Sequence, residues 1–448
     1  MALGAFRELS MEADTSGIKF GPFWLTPSVS RVNAVTYFFS SFMFVALATF
    51  LGFIQPYILS EVLQIPADQL GTVTGRLSAF HECIALFVMG AIGALSDRTG
   101  RRIICVVGML IWAVGLALYP LADSVLQLFG FRLVIAIGVS TASVAVIATM
   151  QDYPQEPSRG KWTGTNSFIT SFAILLVSVG LARLPRIFQD AGFTSIDAGR
   201  LTFWVGASLA VFAALVIRFG WYGGRFARIE KTSSALARFL EGLSEARRNP
   251  GLALAYIVAF AARGDLVVIG SFYSLWFLRA GADQGISAGD AIVRAGITMI
   301  ALQFAVWVWA PVFGWILDRV NRVGATALAM SLAAIGYFTL GEVDNPFNIT
   351  FAVTATFLLG IGEISAVIAG NALLGQEAPL RIRGAAAGVF NVVGTLGILF
   401  ATLVGGEIFD RIGYTAPFTM MAIVNGAVAL IAIAICIKSG NREVRNAN

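Results

Sequence analysis

Twelve long apolar runs, each separated from the next by a short polar turn, set the pattern of this chain. A helix that spans the hydrocarbon core of a bilayer needs about 20 mostly apolar residues. Runs of that kind lie near 35–58, 73–95, 103–121, 130–150, 164–183, 201–219, 252–278, 292–316, 324–341, 349–373, 386–407 and 415–437. The pattern predicts an all-α membrane protein with twelve transmembrane helices. An even number of crossings puts both termini on one side, and the basic residues say which. Arg183, Arg186, Arg200, Arg279, Arg294 and Arg411 fall in loops on one side, and Arg76, Arg132 and Arg263 lie inside spans. The rest of the 31 Lys and Arg collect in the tails and in the loops on the other side. The positive-inside rule makes that side the cytoplasm, so the chain is expected to be a multi-pass protein of the cell (inner) membrane with both termini cytoplasmic.

Composition agrees. Of the 448 residues 57% are hydrophobic and 13% charged, against about 25% charged in a soluble domain. So little charge cannot cover a water-facing surface, and lipid has to be the solvent for most of the chain. The net charge of +5 sits in short loops and is no nucleic-acid footprint. Cys83, Cys105 and Cys436 have no metal or disulfide spacing, and His81 is the single histidine. No metal or cofactor is expected. The chain shows no Ser–His–Asp set, no phosphate loop and no large soluble domain, so an enzyme is not expected either. The first apolar run follows a polar leader without a cleavage site and reads as a retained span.

The run order divides the chain. Residues 1–34 are expected to be a cytoplasmic tail, 35–219 a six-helix bundle, 220–251 a central cytoplasmic linker, 252–437 a second six-helix bundle and 438–448 a cytoplasmic tail. In the linker Leu236, Phe239, Leu240 and Leu243 follow helical spacing among basic residues. This suits an amphipathic helix on the inner membrane surface or a solvated linker helix.

The two bundles repeat one another. Gly93-Ala94-Leu95-Ser96-Asp97-Arg98-Thr99-Gly100-Arg101-Arg102 forms the turn after the second run. A degraded copy, Gly314-Trp315-Ile316-Leu317-Asp318-Arg319-Val320-Asn321-Arg322, starts 221 residues later. Arg159-Gly160 recurs as Arg383-Gly384, and Gly138 matches Gly362 at the same 224-residue offset. The first turn closely resembles the loop motif of the major facilitator superfamily. The span count, the duplication and Glu377-x-Pro379…Arg383-Gly384 extend the resemblance over essentially the whole chain. The second copy departs from the motif at Asn321, where the family has glycine. The resemblance implies two pseudo-symmetric six-helix bundles and a solute transporter that works by alternating access, with no partner subunit required. It also implies a conformational latch built from Gly93, Asp97, Arg98, Gly100 and Arg101, with Asp318 and Arg319 in the second copy. Asp97 would dock at the start of the eleventh span near Gly384, where a helix N-terminus favours an anion.

Charges inside spans are costly and mark function or pairing. Arg263 and Asp265 are the deepest, in the seventh run. Residues i and i+2 point about 200° apart on a helix, so the two cannot pair and each needs a partner on another helix. Which of them faces a cavity is not given by the spacing. Glu363, flanked by Gly360 and Gly362, is a candidate proton carrier in the tenth run, because burial disfavours the charged form of a carboxylate. His81 and Glu82 lie in the second run, with Arg76 nearer its outer end. Arg132 resembles the arginine that many family members carry in the fourth span, where it tunes proton release from a nearby acid, although the glutamine usual before the following glycine is missing; an arginine snorkelling to the outer surface is the alternative. Gln303 and Trp307 share one face of the eighth run, as a solute wall or as packing. The expected ligands are therefore a small-molecule solute and protons, within a lipid bilayer. Three arginines, three acids and a histidine in spans suit symport of an organic anion or zwitterion. Proton-coupled export of amphipathic drug-like or lipid-like compounds is the alternative.

Overall fold

The structure, a computed structural model, describes residues 17–224 and 235–447. Among these, twelve helical stretches are long and apolar enough to cross a membrane, built from thirteen of the fourteen α-helices. The helices are α1 Arg31–Tyr57, α2 Leu70–Thr99, α3 Arg101–Leu118, α4 Val125–Asp152, α5 Arg159–Val179, α6 Leu184–Asp190, α7 Ser195–Gly220, α8 Ala235–Ala246, α9 Pro250–Asp283, α10 Ala288–Leu317, α11 Arg322–Gly341, α12 Ile349–Glu377, α13 Arg383–Arg411 and α14 Ala416–Ala447. The fold is all-α, with two pseudo-symmetric helical bundles.

The first and fifth spans depart from a plain rod. Pro56 lacks the N–H that would bond the carbonyl four residues back, and α1 ends in a π turn, Ile58–Val62. The fifth span breaks after Val179 into a 3-10 turn, Leu181–Arg183, and resumes as α6 with Pro185 in its first turn. Proline is tolerated there because the first helical N–H groups have no partner inside the helix.

By contacts the chain forms two compact units. One comprises residues up to Phe50, Cys83–Val177 and Arg200–Ile229. Its α3 and α4 approach closely at Gly138, where an added Cβ would run into the Trp112 backbone. One end holds an aromatic cluster in which Trp162 packs on Tyr37, Phe38 and Phe23. The described part of the expected N-terminal tail is ordered against this cluster. Lys19–Phe20 and Phe23–Trp24 form a two-stranded antiparallel hairpin. The Trp24 amide donates to Ser158 Oγ at 2.7 Å, and the Thr26 amide to the Tyr153 carbonyl at 2.9 Å. Phe23 and Leu25 are buried, so these residues act as a strap and not as a loose tail.

The other unit comprises Leu51–Glu82, Ser178–Gly199 and Glu230–Asn448. In it α11 and α12 repeat the close approach of α3 and α4. A Cβ on Gly362 would meet the Ala333 backbone, so the two glycines matched in sequence do the same packing job in each unit. Segments 51–82 and 178–199 belong to the N-terminal repeat by sequence yet cluster here, and specific contacts explain why. Asp410, at the end of α13, accepts the amides of Gly71 and Thr72 at 2.8 and 2.7 Å. These are among the first N–H groups of α2, which lack intrahelical partners. Gly75 abuts the Thr402 carbonyl, and Gly296 of α10 abuts that of Ser178. Arg186 pairs with Asp290.

The linker's helix, α8, docks on this unit. Glu241 and Glu245 pair with Arg381 at 2.9 and 3.2 Å. Gly242 sits against Ala385, and Phe239 packs on the Leu252–Val389 core while Leu240 and Leu243 stay exposed. Leu236 lies outside the described side chains.

Candidate functional site

The mid-span positions of α9 divide the polar chemistry. Arg263 is half-buried and leans toward α13, where its Nη2 donates to Asn391 Oδ1 at 2.5 Å. Its aliphatic stem lies over Gly394, a position where any Cβ would collide with Arg263 Cδ. One turn on, Gly397 lets α13 close onto the Phe260 carbonyl of α9. The glycines thus bring the two helices together and leave a groove for the guanidinium. Glu82 of α2 acts on Arg263 as an opposite charge. Asn391 is exposed and Glu82 half-exposed. The three form an accessible polar group, cationic at Arg263 and anionic at Glu82.

Two residues on, Asp265 is 0% exposed. One of its oxygens accepts from Asn425 Nδ2 of α14 at 2.8 Å, and its backbone carbonyl accepts from the Tyr337 hydroxyl of α11 at 2.8 Å. Glu363 of α12, 7% exposed, interacts electrostatically with both Asp265 and Tyr337. Gly360 and Gly362, just before it, take the close contacts with α10 and α11. The two faces of α9 therefore differ: the arginine is partly exposed, and the aspartate is sealed among α11, α12 and α14.

The remaining expected residues spread out. Arg132 is only 7% exposed and hydrogen-bonds the Tyr119 hydroxyl; it does not snorkel to the surface. Tyr119 in turn stacks on Phe203 at 5.3 Å, so Arg132 belongs to the packing of its own unit. Arg76 lies near the start of α2, exposed, 3.7 Å from Glu407. His81 is half-buried beside Glu82, Gln303 is buried on α10 and Trp307 half-buried on the same helix. Asn425, Tyr337 and Asp410 were not anticipated. A lone asparagine in the apolar run of α14 was the available signal for the first.

The loop motif behaves differently in its two copies. Gly100 has φ +98°, in the left-handed region that glycine reaches without penalty. Asp97 pairs with Arg101 at 2.6 Å, and Arg101 also donates to Asp152 at 3.0 Å and to Ser96. Arg98 is exposed, and nothing lies within 4 Å of where a Cβ on Gly93 would stand. In the second copy Asn321 takes φ −52° and caps α11 by accepting the Val323 amide at 2.9 Å. Asp318 is exposed, and Arg319 stacks on Trp315 at 4.0 Å.

A cavity of about 350 Å³ in the second unit is lined in part by Glu61, Gln189, Ser195 and Arg279. Beside it Arg279 stacks on Tyr414, whose hydroxyl donates to Asp283 at 2.5 Å. That bond to a carboxylate holds the phenol above its ordinary range. Among the described residues no cluster of His, Cys, Asp and Glu could hold a metal ion.

The chain is 28% identical to the magnetosome protein MamH of Paramagnetospirillum magneticum, over 88% of this chain and 89% of that one. It is 26% identical to the magnetosome protein MamZ of Magnetospirillum gryphiswaldense, over 85% of this chain but 58% of MamZ. Its backbone matches the crystal structure of the nucleoside transporter NupG with a TM-score of 0.69, at 14% identity, over 90% of this chain and 99% of that one. Residues 37–402 match the family description Major Facilitator Superfamily, and with that match, the twelve spans and the duplicated loop turn, this chain belongs to the Major Facilitator Superfamily of secondary transporters.

Proposed function

We propose that the chain moves a small organic anion or zwitterion by proton-coupled symport with alternating access. The observation that carries this is the polarity of α9. Arg263 is held by Asn391 on an accessible face, with the Glu82 charge beside it. Arginine offers a planar fork of donors that matches a carboxylate or phosphate, and Glu82 suits an ammonium group on the same solute. Behind it, Asp265 and Glu363 are buried acids with no ion-pair partner among the described residues. A buried carboxylate without a cation is costly unless it takes up a proton, which makes these two the coupling groups.

The likeness to MamH and MamZ supports a magnetosome membrane as the place of residence, and the basic loops support both termini on the cytoplasmic side. The test begins with the purified protein and its Arg263→Gln variant. Both are melted with organic anions, amino acids, sugars, lipophilic cations and lysolipids at mildly acidic and mildly alkaline pH. A ligand that binds the folded state raises its apparent stability. Stabilisation by an anion or zwitterion, stronger at acidic pH and lost in Arg263→Gln, is expected. Stabilisation by lipophilic cations alone, unaffected by Arg263→Gln, would overturn the reading. A fluorescent fusion that fails to co-fractionate with magnetosomes would overturn the location.

A further inference from the structure

Hydrogen-bond accounting around Asp265 leaves two atoms over. Asn425 is fully buried, and its amide hydrogens go to Asp265 Oδ1 at 2.8 Å and to the Met421 carbonyl at 2.9 Å. Asp265 Oδ2 and Asn425 Oδ1 are both buried with no hydrogen-bond partner. They are the remaining oxygens of two side chains already joined to each other. Buried polar atoms without partners are rare, and each needs an explanation. Two acceptors cannot satisfy one another. A carboxylic acid can: it keeps one acceptor oxygen and gains an O–H donor. An acid and an amide then close a ring of two hydrogen bonds, with Nδ2–H donating to Oδ1 of the acid and the acid O–H donating to Oδ1 of the amide. One proton accounts for both leftover atoms.

The surroundings fit a neutral acid. The groups that face Asp265 are Tyr337 from α11, Glu363 from α12 and Asn425 from α14. None is a cation, and Glu363 acts as a like charge, which disfavours ionising both acids together. Glu363 itself carries a buried Oε2 without a partner.

We propose that Asp265 and Asn425 form a proton-binding acid–amide pair joining α9 to α14, with Asn425 as the positioning residue. The proposal rests on the proton-coupled reading above and gives it a place. Release of the proton sets a carboxylate oxygen against the amide oxygen, which repel, and this loosens α9 from α14. Arg263 lies two residues away on the same helix, so a shift or roll of α9 moves the proton site and the accessible guanidinium together.

Infrared difference spectroscopy of the full-length protein in liposomes, in H₂O and D₂O, reads the pair directly. The expected result is a carbonyl-stretch band of a protonated carboxyl group that shifts in D₂O, disappears on alkaline titration and is missing in Asp265→Asn. Asn425→Leu should move the band to higher frequency, as its acceptor is lost; Asn425→Thr reads the same shift if the leucine variant does not fold. Glu363→Gln should leave the band in place. A spectrum of Asp265→Asn identical to wild type overturns the pair. A band that persists at every pH overturns it as a site of proton release. The band is independent of flux: if it titrates as expected while a proton gradient fails to drive uptake, the pair stands and the symport reading falls. If there is no band, the pair falls whatever the flux.

Discussion

Arg263 and Asp265 leave the same turn of α9 and meet different surroundings. The arginine finds an exposed asparagine, a glycine groove and an acid across from it. The aspartate finds a sealed wall of α11, α12 and α14 with an asparagine and a tyrosine that hold it by hydrogen bonds. Each side chain is thus matched by an asparagine, but the two asparagines do different work. Asn391 steers a side chain that stays partly exposed. Asn425 supplies bonds that nothing else can replace. Energetic cost should therefore concentrate on the aspartate side, and functional cost on the arginine side.

The largest stability effect is expected at Asn425→Leu, which strips a buried acid of its donor and costs about 2–3 kcal/mol. It should appear as a clear fall in the melting temperature of the detergent-solubilised protein. Adding Asp265→Leu should recover much of that loss, because removing both partners leaves nothing unsatisfied. If the double variant melts lower than the single one, the bond is not the cause. On the other face, Arg263→Gln should cut flux of the solute found by the thermal screen by about tenfold or more, roughly 1.4 kcal/mol of lost interaction, with the unliganded melting temperature nearly unchanged. Equal loss of stability would mean that Arg263 is packing and not a solute contact. Gly394→Ala should be milder, since it pushes the Arg263 stem aside and leaves the charge; a severalfold rise in the apparent KM with kcat retained is expected from uptake kinetics. The smallest effect belongs to Arg76→Ala. Its partner Glu407 is 3.7 Å away, both side chains are well exposed, and such pairs contribute about 0–1 kcal/mol. A melting shift as large as that of Asn425→Leu would show that this end of α2 is far more coupled than its exposure suggests.

Much of this was legible in the sequence, for reasons that differ by residue. Twelve spans follow from run length, because lipid tolerates little else. Gly138 and Gly362 declared the repeat and proved to make the same helix contact. The opposition of Arg263 and Asp265 follows from helical periodicity alone. Their partners did not, because Asn391 and Asn425 come from spans more than a hundred residues away and periodicity carries no information on which helices touch. Arg132 illustrates the reverse failure. An arginine near a span end can reach the surface by length alone, yet the tyrosine just after α3 keeps it inside. The break at Leu181–Arg183 was hidden in an apolar run, although Pro185 marked it. The strap of residues 17–30 was missed because polar leaders carry no periodic signal, and its anchors, Phe23 and Leu25, are single apolar positions.

The grip of Asp410 on Gly71 and Thr72 also sets a schedule for making the protein. The two ends of that contact are 339 residues apart. At roughly 5–20 residues per second of synthesis, the first turn of α2 waits roughly 20–70 s for its cap to leave the ribosome. Until then those N–H groups need water, lipid headgroups or an insertion factor. The membrane insertion machinery therefore handles a second span whose N-terminal end stays uncapped until a helix more than three hundred residues later arrives.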